Sequence, residues 1–241
     1  MKRQLRTMLA LVIMILIFQS CEKTSTKSED ELTVTDIDGN IYETVELGGQ
    51  IWMAENLKVK HYRDGTTIPY LDANDDWANT LTGAYAIYGD YPDLVDLNGA
   101  LYNWYAVVDS HNLAPNGWRV PSDEDWKELE TYLGMTQSNA DDTGLRGSNQ
   151  GSILADSLGL WNHGSLTDNT EFSSSGFTVL PSGYRDNGGN YYNLGTTAIF
   201  WSTTESSVYS AWSRMIGAFE SGVYRLYEPK GDGYSVRCIK D

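Results

Sequence analysis

NGWRVPSDEDWKELE, residues 116–130, decides the fold. Asn116-Gly117 is turn chemistry, because glycine takes positive φ without a steric penalty. Val120 precedes proline and is pushed to extended geometry, and Pro121 cannot lie inside a following helix. Ser122 stands where an N-cap belongs, its hydroxyl placed to accept from the Asp125 N–H. Asp125 reaches back in a shortened capping box, and Asp123-Glu124-Asp125 complements the positive helix end. Trp126, Leu129 and Leu133 recur at helical spacing, with Gly134 as the stop. Trp118 enters from a strand and Trp126 from a helix, so the stretch reads as a core nucleus without catalytic character.

Outward from it, the N-terminus is of another kind. Lys2, Arg3 and Arg6 precede an apolar run at 8–18. That run is shorter than the ~20 residues a membrane-spanning helix needs, but it suits a secretory signal. Gln19-Ser20-Cys21 resembles a bacterial lipoprotein cleavage site, although Phe18 stands where leucine is commonest. The resemblance implies a signal peptide at 1–20, cleavage before Cys21, and lipidation of Cys21 that holds the protein on a membrane. An ordinary signal peptide with an incidental cysteine is the alternative. Residues 21–32 form a polar tether, and its Glu29-Asp30-Glu31 run resembles the export signals of Bacteroidota surface lipoproteins; a solvated spacer is the plainer reading. The expected location is the outer membrane, lipid-anchored and facing the cell surface.

The chain carries a net charge of −16, and loss of residues 1–20 removes three cations and no carboxylates. Such a surface repels phosphate backbones, which excludes nucleic acid as an expected partner, and leaves membrane attachment to the lipid anchor. The two cysteines are Cys21 and Cys238. With Cys21 acylated, Cys238 has no intramolecular partner and no disulfide framework forms. One domain at 33–241 is the simplest organisation.

Within it, Val34 and Ile37 lead to Asp38-Gly39, a type I′ hairpin signal; a strand at 41–46, a Gly48-Gly49 turn and Ile51-Trp52-Met53 complete a meander. Residues 36–40 also look like part of a calcium loop, but without a distal bidentate glutamate a turn is preferred. Leu97, Leu101, Trp104 and Val108 share a stripe that predicts a helix over 97–108. A Gly/Ser/Asn-rich region follows the Ser122 helix, with one short helix near 153–158. Strands are predicted at 177–180, 199–202, 211–216, 223–227 and 234–239. Two principal helices between an early meander and a late strand array, joined by long loops, make an α+β domain with mainly antiparallel sheets.

Six blocks carry a family resemblance: QIWMAENL at 50–57, ALYNWYA at 100–106, GWRVPSDEDW at 117–126, SGFTVLPSGYR at 175–185, FWSTTE at 200–205 and SVRCIKD at 235–241. In this order they resemble the Fibrobacter succinogenes major paralogous domain. Members look like exported lipoproteins of Bacteroidota and Fibrobacterota. That family is similar in turn to the C-type-lectin-like fold of formylglycine-generating enzymes, which the resemblance makes the expected architecture. Many members carry a cysteine where this chain has Ala114; if that cysteine pairs with the one matched by Cys238, the bridge is lost here. Cys238 is then expected buried and inert between strands.

The formylglycine-generating chemistry needs two cysteines together, and this domain has one. His61, His111 and His163 lie far apart on predicted loops with no G-x-S-x-G motif, so no catalytic residues are assigned. No clustered zinc ligands exist and no cofactor is expected; calcium, through Asp72, Asn74, Asp75 and Asp76, is an unfavoured option. The eight tryptophans and sixteen tyrosines outnumber the five phenylalanines. Trp and Tyr join an apolar face to a polar tip and suit surfaces that stack sugars or anchor proteins. Loop-borne Trp77, Trp161, Tyr184, Tyr191, Tyr192 and Trp212 are the candidates to face a ligand, with Arg185 and Arg225 beside them. For the two arginines, pairing with a neighbouring carboxylate is the plainer role. The expected function is non-catalytic binding of a glycan or surface protein. A structural envelope subunit is the alternative, and an unrecognised hydrolase a third.

Overall fold

A computed structural model describes residues 33–156 and 158–241. The signal peptide, Cys21 and the tether expected from the sequence lie outside the described residues. The strands are β1 (Thr33–Thr35), β2 (Ile41–Leu47), β3 (Gln50–Met53), β4 (Tyr85–Ala86), β5 (Leu101–Tyr102), β6 (Trp118–Arg119), β7 (Gly144–Arg146), β8 (Ser182–Arg185), β9 (Tyr191–Leu194), β10 (Thr197–Glu205), β11 (Ser210–Gly217), β12 (Val223–Pro229) and β13 (Ile239–Lys240). The helices are α1 (Asn74–Asn79), α2 (Val95–Asn98), α3 (Trp104–Val107), α4 (Asp123–Tyr132), α5 (Gln137–Asp141) and α6 (Gln150–Leu154). Among the described residues they form a five-stranded sheet, β1-β2-β3-β13-β6, a six-stranded sheet, β7-β12-β11-β10-β8-β9, and the small pair β4-β5. Pairing is antiparallel except between β8 and β10, so the class is α+β as expected.

The meander forms as predicted, with one change of turn type. Gly48 and Gly49, at φ 61° and 82°, join β2 to β3 with Leu47 opposite Gln50, the geometry of a two-residue type I′ turn. Between β1 and β2 the loop is longer. There Asp36 accepts from the backbone N–H groups of Asp38 and Asn40, the Asn40 side chain and the Tyr42 hydroxyl, so its carboxylate closes the turn.

The Ser122 capping box is present: Ser122 Oγ accepts from the Asp125 N–H at 3.2 Å and Asp125 accepts from the Ser122 N–H at 2.7 Å. The ten-residue α4 is the longest helix among the described residues. Its two flanking tryptophans do not share one nucleus. Side chains alternate along a strand, so Trp118 on β6 enters the core with Tyr42, Trp201 and Cys238. Trp126 packs on the other side of the five-stranded sheet, 4.9 Å from Trp52 and 5.6 Å from Phe200.

The helix predicted over 97–108 is a correction. It is split into α2, β5 and α3. Gly99 sits at φ 73°, and a Cβ there would lie 2.5 Å from the Asn56 Cβ, so the chain passes too tightly for a helical turn. Asn103 then caps α3 by accepting from the Ala106 N–H at 3.0 Å. The strands expected at 177–180 and 234–239 reduce largely to isolated bridges, Ala155 with Val179 and Phe200 with Ser235, and β13.

Candidate functional site

The two faces of the six-stranded sheet have different roles. On one, α4 is held by buried charge. Glu130 accepts two bonds from Arg146, both at 2.8 Å, and one from Arg214 Nε at 2.7 Å. Asp123 accepts from Arg214 Nη1 at 2.8 Å and from Arg225 Nε and Nη2 at 2.9 and 2.7 Å. Burial alone would raise the Asp123 carboxyl, but the hydrogen bonds and charge of Arg225 and Arg214 outweigh it and hold the group below the ordinary aspartate range. Two carboxylates against three arginines make a closed structural network.

The other face carries the candidate site. Tyr184 on β8 and Tyr192 on β9 are direct cross-strand partners, their rings 5.6 Å apart and tilted by 34°. Gly183 permits this: at φ +66° it brings β8 so close to β9 that a Cβ would lie 2.6 Å from the Tyr192 carbonyl oxygen. The backbone bridge between Arg185 and Gly233 lays the chain before Tyr234 along β8. Tyr234 thereby meets Tyr184 edge-on at 5.9 Å and stacks on Trp201 at 4.4 Å. Its hydroxyl donates to Asp232 Oδ2 at 2.7 Å. Tyr192 is 42% exposed and Tyr184 half-buried, so the pair presents ring surface to solvent.

Two carboxylates border the tyrosines. Burial, and then the negative charge of Asp232, push the Glu228 carboxyl up to about 7. Burial pushes Asp232 up to about 6, against the bonds it accepts from Tyr234 and the Asn187 backbone. Burial, and then the charges of Asp232, Tyr192, Asp186 and Glu228, also raise the Tyr184 hydroxyl. Asp232 is buried and already accepts from the Tyr234 hydroxyl and the Asn187 backbone, so half-buried Glu228 is the more accessible carboxylate of the two; it suits hydroxyl or ammonium donors and, when ionised, repels anions.

Most of the ligand-facing residues expected from the sequence lie elsewhere. Trp77, in α1, is buried beneath the Arg185 guanidinium, 4.7 Å from its ring. Arg185 itself is wholly buried and gives its N–H groups to the carbonyls of Gly189, Leu71 and Asp72 and to Asn74 Oδ1, so it clamps α1 to the β8–β9 hairpin. It pairs with no carboxylate among the described residues, contrary to the plainer expectation for it, because backbone oxygens already surround it. Trp161 is buried and donates to the Val179 carbonyl at 3.0 Å. Arg225 is bound in the α4 network and stacks on Trp212 at 3.6 Å. Trp212 is on β11 opposite Tyr227, on the α4 side of the sheet. Tyr191 lies on the Arg185 side of the hairpin, its hydroxyl donating to Asp90 at 2.8 Å. Of that set, Tyr184 and Tyr192 are the two that meet on the Trp201 face of the sheet. Glu228, Asp232 and Tyr234 carried no local signal beyond the turn composition of residues 230–233.

Each histidine meets an aspartate: His61 with Asp38 at 2.5 Å, His111 with Asp109 at 2.6 Å and His163 with Asp168 at 3.2 Å. The Asp109 hydrogen bond raises the exposed His111 above the usual histidine value. Asp72, Asn74, Asp75 and Asp76 begin and precede α1, and among the described residues no group of three or more histidine, cysteine or acidic side chains is arranged to hold a metal. Cys238 is a free, buried thiol, and burial pushes its pKa up, as expected of an inert cysteine.

An α+β domain is thus defined, its six-stranded sheet tied to α4 by ion pairs on one face and carrying a partly exposed tyrosine pair at the β8–β9 edge of the other. The model of the Fibrobacter succinogenes major domain matches residues 45–240, and the chain belongs to that family. No curated protein and no solved structure gives a significant match. The likeness to formylglycine-generating enzymes therefore rests on sequence resemblance alone.

Proposed function

We propose that this chain is a non-catalytic, lipid-anchored protein of the cell envelope, displayed on the outer membrane, that binds glycans through the Tyr184–Tyr192 face. The supporting observation is the Tyr184–Tyr192 pair, half-buried and exposed respectively, with half-buried Glu228 beside it and buried Asp232 behind. Ring faces take the C–H surface of a sugar, and carboxylate oxygens accept its hydroxyls, the usual division of labour in a mostly apolar site with few polar groups. The acidic border selects neutral or amino sugars over uronic or sulfated ones. Family membership supports an exported binding role only by analogy, since fold does not dictate function.

A glycan array with the fluorescent protein, followed by calorimetric titration of the strongest hit, tests the reading. Wild type is expected to bind neutral or amino glycans. Tyr192→Ala is expected to weaken binding at least tenfold, with thermal unfolding little changed because that residue is exposed at the sheet edge. Exclusive binding of sulfated glycans, or equal binding by Tyr192→Ala, refutes the assignment.

A further inference from the structure

A second feature adjoins the tyrosine pair, with Leu194 two residues beyond Tyr192 on β9. Leu94, Leu97, Leu160, Pro181, Leu194 and Gly195 help line a cavity of about 330 Å³ between α2 and β9. Leu97, Leu160 and Leu194 are 45%, 38% and 43% exposed. Single exposed leucines are ordinary; three converging on one depression are not, because such a patch leaves apolar surface in water that a partner would cover. A second cavity of about 230 Å³ shares Leu97, adds Leu158 and Leu180, and is bordered by Glu55, Asp96 and Asp156 and by the buried Arg237, whose N–H groups go to Asn56, Phe177 and Thr178. The Asp96 side chain is 88% exposed, and its ion-pair partner Lys58 stands 3.9 Å away.

We propose that this groove docks a segment of a protein partner that carries aliphatic side chains flanked by lysine or arginine. Leucines supply the non-directional attraction, and the three carboxylates outnumber the nearby Arg237 and Lys58, so on a chain of net charge −16 the rim favours a basic segment and speeds its approach. A second copy of this chain is disfavoured as occupant, because a symmetric contact sets the same acids against each other. Anionic lipid is disfavoured for the same reason.

The test uses the full chain and three fluorescein-labelled hexapeptides: alternating leucine and lysine, alternating leucine and glutamate, and alternating serine and lysine. Fluorescence anisotropy should show the leucine–lysine peptide binding at least tenfold tighter than either control. Leu97→Gln and Leu194→Gln should each weaken it at least fivefold. Asp96→Asn should weaken it two- to threefold and flatten its salt dependence. Leu145→Gln, which alters a leucine of similar exposure on β7, should leave it unchanged. Circular dichroism verifies that each variant is folded. Equal binding of the serine–lysine peptide, or an equal loss in Leu145→Gln, overturns the proposal. So does self-association in sedimentation, or binding to neutral lipid vesicles, that Leu97→Gln abolishes.

Discussion

Glu228→Gln isolates the electrostatics of the tyrosine face. A carboxyl whose folded pKa is raised binds its proton more tightly in the native state. Its contribution to stability is complete below the unfolded value of 4.5 and is lost as pH rises through about 7. At 1.36 kcal/mol per unit, the full shift corresponds to about 3 kcal/mol. Glu228 is half-buried, so solvent screening reduces that to about 1–2 kcal/mol. Glutamine keeps the shape and removes the charge. The variant should come within about 0.5 kcal/mol of wild type at pH 5 and exceed it by about 1–2 kcal/mol at pH 8.5. Urea unfolding of both proteins at pH 5, 7 and 8.5 gives the difference directly, and subtraction cancels the general repulsion of an acidic chain. A variant less stable than wild type at pH 8.5, or a difference independent of pH, would refute the reasoning.

Glu130→Ala strips Arg146 of its carboxylate and leaves Arg214 with Asp123 alone, and should cost about 3–5 kcal/mol in chemical unfolding; a loss below 1 kcal/mol contradicts a closed network. Ser122→Ala removes the α4 cap and should cost about 1 kcal/mol, measured the same way. Cys238 should resist thiol reagents in the native protein and react at once in denaturant, because its buried thiol is held protonated; rapid labelling of the folded chain would show that the core around it opens.

What the sequence disclosed was mostly local. The Ser122 cap and the Gly48-Gly49 turn depend on residues a few positions apart, and both form as read. The 97–108 stripe misled because its apolar spacing outweighed Gly99, whose positive φ and contact with Asn56 are tertiary facts. Aromatic count pointed toward ligand surfaces, yet Trp77 and Trp161 are buried. Their indole bodies fill the interior, and the Trp161 N–H finds a backbone carbonyl there. Tyr184 and Tyr192 remained in the site because they pair on β8 and β9 at the edge of the sheet, beside the part of that face buried around Trp201. Glu228 and Asp232 were invisible in sequence: β12 and the turn after it bring them to the tyrosines from more than thirty residues away.

The most direct measurement follows the amide resonances of isotope-labelled protein while the strongest glycan from the array is added. Shifts should concentrate at Tyr184, Tyr192, Glu228 and Asp232 and vanish in Tyr192→Ala. Shifts centred instead on Trp212 and Tyr227, across the sheet, would contradict the assignment of the tyrosine face as the binding site.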